Sequence, residues 1–514
     1  MGFQITNRDC SVGDCRTEFG KHSLWWMVAI LAFSVSTILT VLQHVMWRDE
    51  YQAWLIVKNS FSLSELFQNL HYEPGPALWH ICLYFLKSIY NDPLIMQLFH
   101  AMIATAIAYI FIKYSPFSYW KKILFIFGYF PFYEYAVISR NYSLGVLFVF
   151  IFCALYSFRK KSYLLLSLCL FFLFQTNFHS FLIGICLLAF LIRDYLMDGK
   201  AGYAVSRRDI LFSTLIILVG IAIAMARTIP PAGTSAYAAG PWRTFFDFEI
   251  FKRSLATVWD SYFPIPKIGF WNFNILDDHL KYRVLLSGLV FLGCFLMFLR
   301  TPLILGLFLL GSGGLMAFFY FKYLGYLRHH GQLYIMFIAC LWLSYYCKPL
   351  LTKHGLKFLV FVNKYKEHFI VVILIAQAIA GGIAVASDWY LPFSASKEVA
   401  MYIKKNHMEN MLITGDKDWA LVPVAGYLDK RIYYLSADRM GTFIVFDSKR
   451  KKQMDTQMVL EKTMELRNKY KKDVLLILNY KPRIDLDGLS YIERFTTSIV
   501  HDEKYYLYVI RDGS

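Results

Sequence analysis

Five short polar clusters interrupt an otherwise apolar chain, and each holds residue types that can do chemistry. The first, Trp47-Arg48-Asp49-Glu50, closes the first apolar run. Two acids at a membrane interface are costly unless something binds them. The plainer alternative is an end-of-helix group facing water and paired with Arg48. The second cluster, His71-Tyr72-Glu73-Pro74-Gly75-Pro76, sets a His and a Glu beside a turn made rigid by two prolines around a glycine. Those side chains suit a cation or a hydroxyl, and equally a structural turn. The third, Ser139-Arg140-Asn141-Tyr142, puts an Arg where an anionic headgroup would be caught, or where an interfacial side chain would snorkel. The fourth runs Gln175-Thr176-Asn177-Phe178-His179-Ser180 and also reads as a set of helix caps. The fifth is Tyr326-Leu327-Arg328-His329-His330-Gly331. Its Arg fork and imidazole donors suit a phosphate. Adjacent residues on a helix do not share a face, which argues against His329 and His330 sharing a metal.

Composition sets the elements that must position these clusters. The chain has 514 residues, 57% of them hydrophobic and only 17% charged, below the roughly 25% charged of an average soluble domain. Its 46 Phe, 36 Tyr and 12 Trp suit a membrane protein, apolar inside and with Trp and Tyr at the interfaces. A net charge of +17 does not imply nucleic acid, because the basic residues fall in short clusters between apolar runs. The nine cysteines include no CxxC pair. Cys10 and Cys15 belong to a tail expected in the cytosol, and Cys82, Cys153, Cys169 and Cys186 are expected as small core residues.

The apolar runs predict about eleven membrane-spanning helices: residues 24–46, 94–112, 123–135, 144–156, 163–174, 178–192, 210–226, 284–299, 303–321, 333–346 and 369–386. The first is too long for a signal-peptide core and reads as a retained signal anchor. Basic turns at 121–122, 159–161, 193 with 207–208, and 348–366 alternate with the spans as one side should. By the positive-inside rule they and the N-terminus are cytoplasmic. All five polar clusters then fall on the other side. Residues 47–92 are too polar to cross lipid as a whole and predict helices lying in the interface. Residues 1–388 thus form an all-α membrane domain. Residues 389–514 change character: strands at 411–414, 474–478 and 505–510 alternate with helices at 396–405 and 454–470, a small α/β domain on the extracytoplasmic side.

An acidic motif after the first span, an interfacial loop with a proline-rich turn, an Arg-x-Tyr at Arg140 and Tyr142, and a C-terminal soluble domain together resemble the GT-C glycosyltransferases. The likeness is to the bacterial branch related to protein mannosyltransferases and lipid A aminoarabinose transferases. It covers the whole chain in layout. It implies an inner-membrane enzyme of the cell envelope, an inverting transferase using a polyprenyl-phosphate sugar donor and working outside the cytoplasm. It implies Asp49, with Glu50 beside it, as the catalytic acid pair, Asp49 being general base. It implies Arg140, Arg328, His329 and His330 as the donor-phosphate clamp. His71, Glu73, Tyr142 and His179 would bind the acceptor or a cation. Asp49 and Glu73 could hold a divalent ion; no other cofactor is implied. The turn here lacks the adjacent prolines common among the relatives, and the His pair is not general. The acceptor, whether lipid, polysaccharide or protein, is left open. The rivals are a transporter or flippase for a lipid-linked substrate, which predicts charges near the bilayer midplane and an internal repeat, and a glycan ligase or polymerase.

Overall fold

The computed structural model describes residues 23–197, 205–235, 240–347, 349, 357–451, 454–482 and 489–511. The tail with Cys10 and Cys15, and part of the basic stretch 348–366, lie outside the described residues. The chain begins with α1 (Ser23–Gln43), then three short helices, α2 (Arg48–Lys58), α3 (Leu63–Asn69) and α4 (Leu78–Lys87). Next come α5 (Leu94–Tyr114), α6 (Tyr119–Ile126), a π-helical turn (Tyr129–Glu134), α7 (Tyr142–Leu155), α8 (Leu164–Phe174), α9 (Phe178–Met197) and α10 (Arg207–Thr228). The membrane part ends with α11 (Phe248–Tyr262), α12 (Leu280–Phe298), α13 (Pro302–Phe321), α14 (Leu327–Ser344) and α15 (Lys357–Tyr390).

Among the described residues, seven helices are long and apolar enough to cross a membrane: α1, α5, α9, α10, α12, α13 and α15. The other four expected spans are helices of another kind. Two are apolar but shorter, Tyr142–Phe158 and Leu164–Phe174. One is α14, whose first turn carries Arg328, His329 and His330. The run 123–135 differs most. It is split between the end of α6 and the π-turn, because Pro131 has no N–H to continue an α-helix and Glu134 must be satisfied. Glu134 is buried and accepts hydrogen bonds from Tyr129 Oη and Trp271 Nε1, both at 2.9 Å. Such irregular backbone is tolerated at membrane depth only where protein surrounds it. All six residues of the turn are buried.

After α15 come α16 (Ser396–Lys405), β1 (Leu412–Gly415), α17 (Asp418–Leu428), β2 (Ile432–Tyr434), β3 (Arg439–Gly441), α18 (Thr456–Tyr470), β4 (Val474–Leu478), β5 (Ser490–Phe495) and β6 (Tyr505–Ile510). They build one six-stranded sheet in the order β3-β2-β1-β4-β6-β5. β2, β1 and β4 are parallel; β3, β6 and β5 are antiparallel additions. The three expected strands, β1, β4 and β6, are three of the four inner ones, and their apolar runs are buried.

This sheet domain packs on the short helix α2. Tyr51 and Tyr427 meet with ring centroids 4.7 Å apart. Gly426 is required there, since a Cβ would lie 2.1 Å from Tyr51 Cδ1. A second seam pairs backbone: Ser235 N–H donates to Phe446 O and Ser448 N–H to Gly233 O, both at 2.7 Å.

Candidate active site

Asp49 and Glu50 occupy the first turn of α2, where the helix N-terminus favours negative charge. Consecutive helical residues point about 100° apart, and the two acids have different surroundings. Asp49 is 28% exposed, and its Oδ2 binds the guanidiniums of both Arg140 and Arg328. The Arg328 Nη2 lies 3.3 Å away. Burial pushes the Asp49 carboxyl up, but Arg140, Arg328 and Arg48 outweigh it and hold the group below its ordinary range. Three segments far apart in sequence thus converge on one carboxylate: α2, the turn after the π-helix, and the start of α14.

Glu50 turns inward and is fully buried. It accepts from the backbone N–H of Ser139 at 2.7 Å and of Trp47 at 3.2 Å. Its other neighbour is His44 Nε2 at 3.0 Å, and His44 Nδ1 lies 2.6 Å from Asp388 Oδ2. Both imidazole nitrogens face carboxylate oxygens, so both must carry hydrogen and the ring is an imidazolium. Tyr133 Oη also donates to Asp388, at 3.3 Å. This buried chain ties α1 and α15 to α2 and to the turn that carries Arg140. It holds the backbone under Asp49 and gives Glu50 no open face.

Arg328 sits among aromatic rings, its guanidinium 5.3 Å from the centroids of Trp47 and of Trp271 and 5.0 Å from Tyr326. Its Nε and Nη1 are buried without a hydrogen-bond partner. His329 accepts the Tyr326 N–H on Nδ1 at 2.8 Å. Its ring neighbours are His179 at 5.0 Å and Tyr142 at 5.6 Å, and Tyr142 also faces Arg140. His179, Tyr142, His329 and Arg140 are thus one cluster. His330 points elsewhere, its Nε2 2.9 Å from Leu324 O.

On the opposite flank Glu73 accepts a 2.5 Å hydrogen bond from Gln52 Nε2. Gln52 lies three residues after Asp49 and so shares its face. The same Gln52 exchanges hydrogen bonds with the Ile444 backbone of the sheet domain, each 2.8 Å. Burial raises Glu73 to about 7. The turn that delivers it needs Gly75, whose φ is +112°. His80 is held near 3 by burial and by Arg140 and Arg227. His71 is exposed and meets the Tyr72 ring edge-on, with centroids 4.7 Å apart. His44, Gln52, His80, Arg227 and Asp388 were missed from sequence. His44 lies inside an apolar run, and Asp388 follows the last one.

Among the described residues no group of three or more His, Cys, Asp and Glu is placed to hold a metal ion. Asp49 is engaged by two guanidiniums and Glu73 by an amide, a donor set that does not fit a divalent cation, and no step below passes through one.

No family model matches the sequence, and no curated protein matches it. The structure is similar to that of ArnT from Cupriavidus metallidurans bound to undecaprenyl phosphate, with TM-score 0.50 and 11% identity, covering 95% of this chain and 98% of ArnT. A second solved structure, the mycobacterial arabinofuranosyltransferase AftD, is matched over 95% of this chain and 40% of AftD, at 11% identity and TM-score 0.36. With its apolar helices, the short helices between its first two long apolar ones and its terminal sheet, this integral membrane protein shares the fold of ArnT.

Proposed function

We infer that the chain is a glycosyltransferase that moves a sugar from a polyprenyl-phosphate donor to an acceptor hydroxyl on the extracytoplasmic side, with inversion at the anomeric carbon. The observation that carries this reading is the meeting of Asp49 with Arg140 and Arg328. The similar ArnT structure was bound to undecaprenyl phosphate, which supports a polyprenyl phosphate as the carrier. The distribution of basic turns supports a cytoplasmic N-terminus.

The donor phosphate binds both guanidiniums, and the two unpartnered Arg328 N–H groups supply further donors. As phosphate draws the arginines, Asp49 loses the charges that depress its basicity. Asp49 then takes the acceptor's hydroxyl proton while that oxygen attacks the anomeric carbon. The bond from that carbon to the phosphate oxygen breaks, and the phosphate leaves with the electron pair, stabilised by the arginines. A single displacement inverts the centre. The phosphate is a good leaving group, so the second carboxylic acid of a glycosidase is not needed. Glu50 acts as a positioning residue through Ser139 and Trp47. We assign Glu73, Tyr142 and His179 to the acceptor.

The test is a transfer assay with the purified protein in nanodiscs, a panel of polyprenyl-phosphate sugars, and mass spectrometry of the products. Asp49→Asn is expected to lower turnover about 10²–10⁴-fold with donor binding retained. Product from no donor, or wild-type turnover in Asp49→Asn, overturns the reading.

A further inference from the structure

Glu134 is a buried carboxylate that the transfer chemistry leaves unused. It ends the π-helical turn Tyr129–Glu134, and single π-turns are frequent at functional sites. This turn reaches Arg328 by two routes. Tyr135, the residue after it, donates its hydroxyl to Arg328 O at 2.6 Å and so fixes the main chain. Gly331 permits the close approach of α14, since a Cβ there would lie 2.3 Å from Phe130 Cε1 and 2.6 Å from Tyr135 Oη. The second route runs through a side chain. Glu134 accepts the Trp271 Nε1–H at 2.9 Å, and the Trp271 ring faces the Arg328 guanidinium at 5.3 Å.

Trp271 is one wall of a cage. Trp47 at 5.3 Å and Tyr326 at 5.0 Å are the others. Trp47 and Trp271 meet edge-on, with centroids 4.5 Å apart, and Phe393 backs Trp271 at 5.2 Å and Trp47 at 6.2 Å. Ring faces attract a cation through their quadrupole and consume none of its N–H groups. A carboxylate in the same place would hold the guanidinium by occupying those donors. The cage thus explains how the Arg328 side chain can be only 8% exposed while its Nε and Nη1 have no hydrogen-bond partner. Buried unpaired donors are costly, and an anion arriving with oxygens relieves that cost.

We propose that Glu134 is a positioning residue for Arg328. It fixes the Trp271 ring, and the cage then presents the Arg328 Nε–H and Nη1–H groups to a phosphate. Only Arg328 touches the anion. That this phosphate is the leaving group of a sugar transfer rests on the transferase reading; the holding of a phosphate by the caged guanidinium does not.

The experiment uses the full-length protein in nanodiscs, with farnesyl phosphate as the probe and farnesol as its uncharged control. Affinity is read by calorimetric titration. Protein labelled with 5-fluorotryptophan gives a 19F resonance for Trp271, assigned by its absence from Trp271→Phe. Farnesyl phosphate is expected to shift that resonance and farnesol to leave it in place. Trp271→Leu is expected to weaken farnesyl phosphate binding about tenfold. Glu134→Leu is expected to weaken it about threefold and to move the Trp271 resonance before any ligand is added. Glu134→Gln keeps an acceptor for the indole N–H and is expected to lose less. Trp271→Phe loses the same hydrogen bond without altering the π-turn, and it carries the comparison if Glu134→Leu does not fold. Adding Glu134→Leu to Trp271→Leu is expected to cost nothing further, because Glu134 acts through that ring. Additive losses, or a Glu134→Gln as weak as Glu134→Leu, place the effect of Glu134 elsewhere and overturn the proposal. So do wild-type affinity in Trp271→Leu and the lack of any preference for farnesyl phosphate over farnesol. If Trp271-dependent phosphate binding persists in a protein that makes no glycosidic bond, the transfer chemistry falls and the positioning role stands.

Discussion

At the scale of single residues, the carboxylates of this protein are tuned by what surrounds them. Asp49 is kept ionised by arginines, while Glu503 is pushed to about 7, chiefly by burial. Glu503 accepts the Arg48 backbone N–H at 3.1 Å, where the sheet domain meets α2. Its folded pKa lies above its ordinary 4.5, so the folded state holds the proton more tightly. Its contribution to stability is complete below about pH 4.5, declines as pH rises through about 7, and is flat above. Thermal unfolding of Glu503→Gln from about pH 5 to about pH 8 is expected to lack that decline. Asp49, Arg140 and Arg328 were legible in the sequence because a charge at the end of an apolar run needs a reason. His44 was not, because one His inside residues 24–46 reads as core. Its partner Asp388 is 344 residues away, and no local pattern connects them.

At the scale of elements, the His44 imidazolium joins α1, α2 and α15. Removing it leaves Glu50 and Asp388 as buried carboxylates without their shared cation. His44→Leu is therefore expected to destabilise by about 3–5 kcal/mol, seen as a lowered melting temperature in detergent. Glu50→Gln removes a buried charge yet keeps one acceptor oxygen, for the Ser139 N–H or the Trp47 N–H but not both, and is expected to lose less. Hydropathy located nearly every apolar helix but misjudged the stretch 123–135. The signals were present in Pro131 and Glu134, yet a window average dilutes two residues among aromatic neighbours. The short helices within 47–92 were legible as helices from amphipathic pieces of that stretch, though not their packing against a domain hundreds of residues later.

At the scale of the whole molecule, the sheet domain is part of the site's surroundings. It grips Arg48 through Asp502 at 2.9 Å and through the Trp419 ring at 4.4 Å, and it reaches Gln52 beside Asp49. The inner strands β1, β4 and β6 could be read because their apolar runs are buried; inner β2 is only three residues long, and edge strands β3 and β5 are short or half-exposed, so these gave no such signal. Gly426→Ala would drive a methyl into Tyr51 at the centre of this contact. It is expected to lower stability by about 1–3 kcal/mol and to speed proteolysis at the domain junction. Only residues 391–395 separate the last membrane helix from the first helix of the sheet domain. So short a tether keeps the domain at an effective concentration in the millimolar range. Contacts too weak to recruit a free protein therefore suffice here. A domain so tethered reseats after any local opening without diffusing off, whereas the same domain supplied as a separate chain at micromolar levels would leave Arg48 and Gln52 largely uncovered.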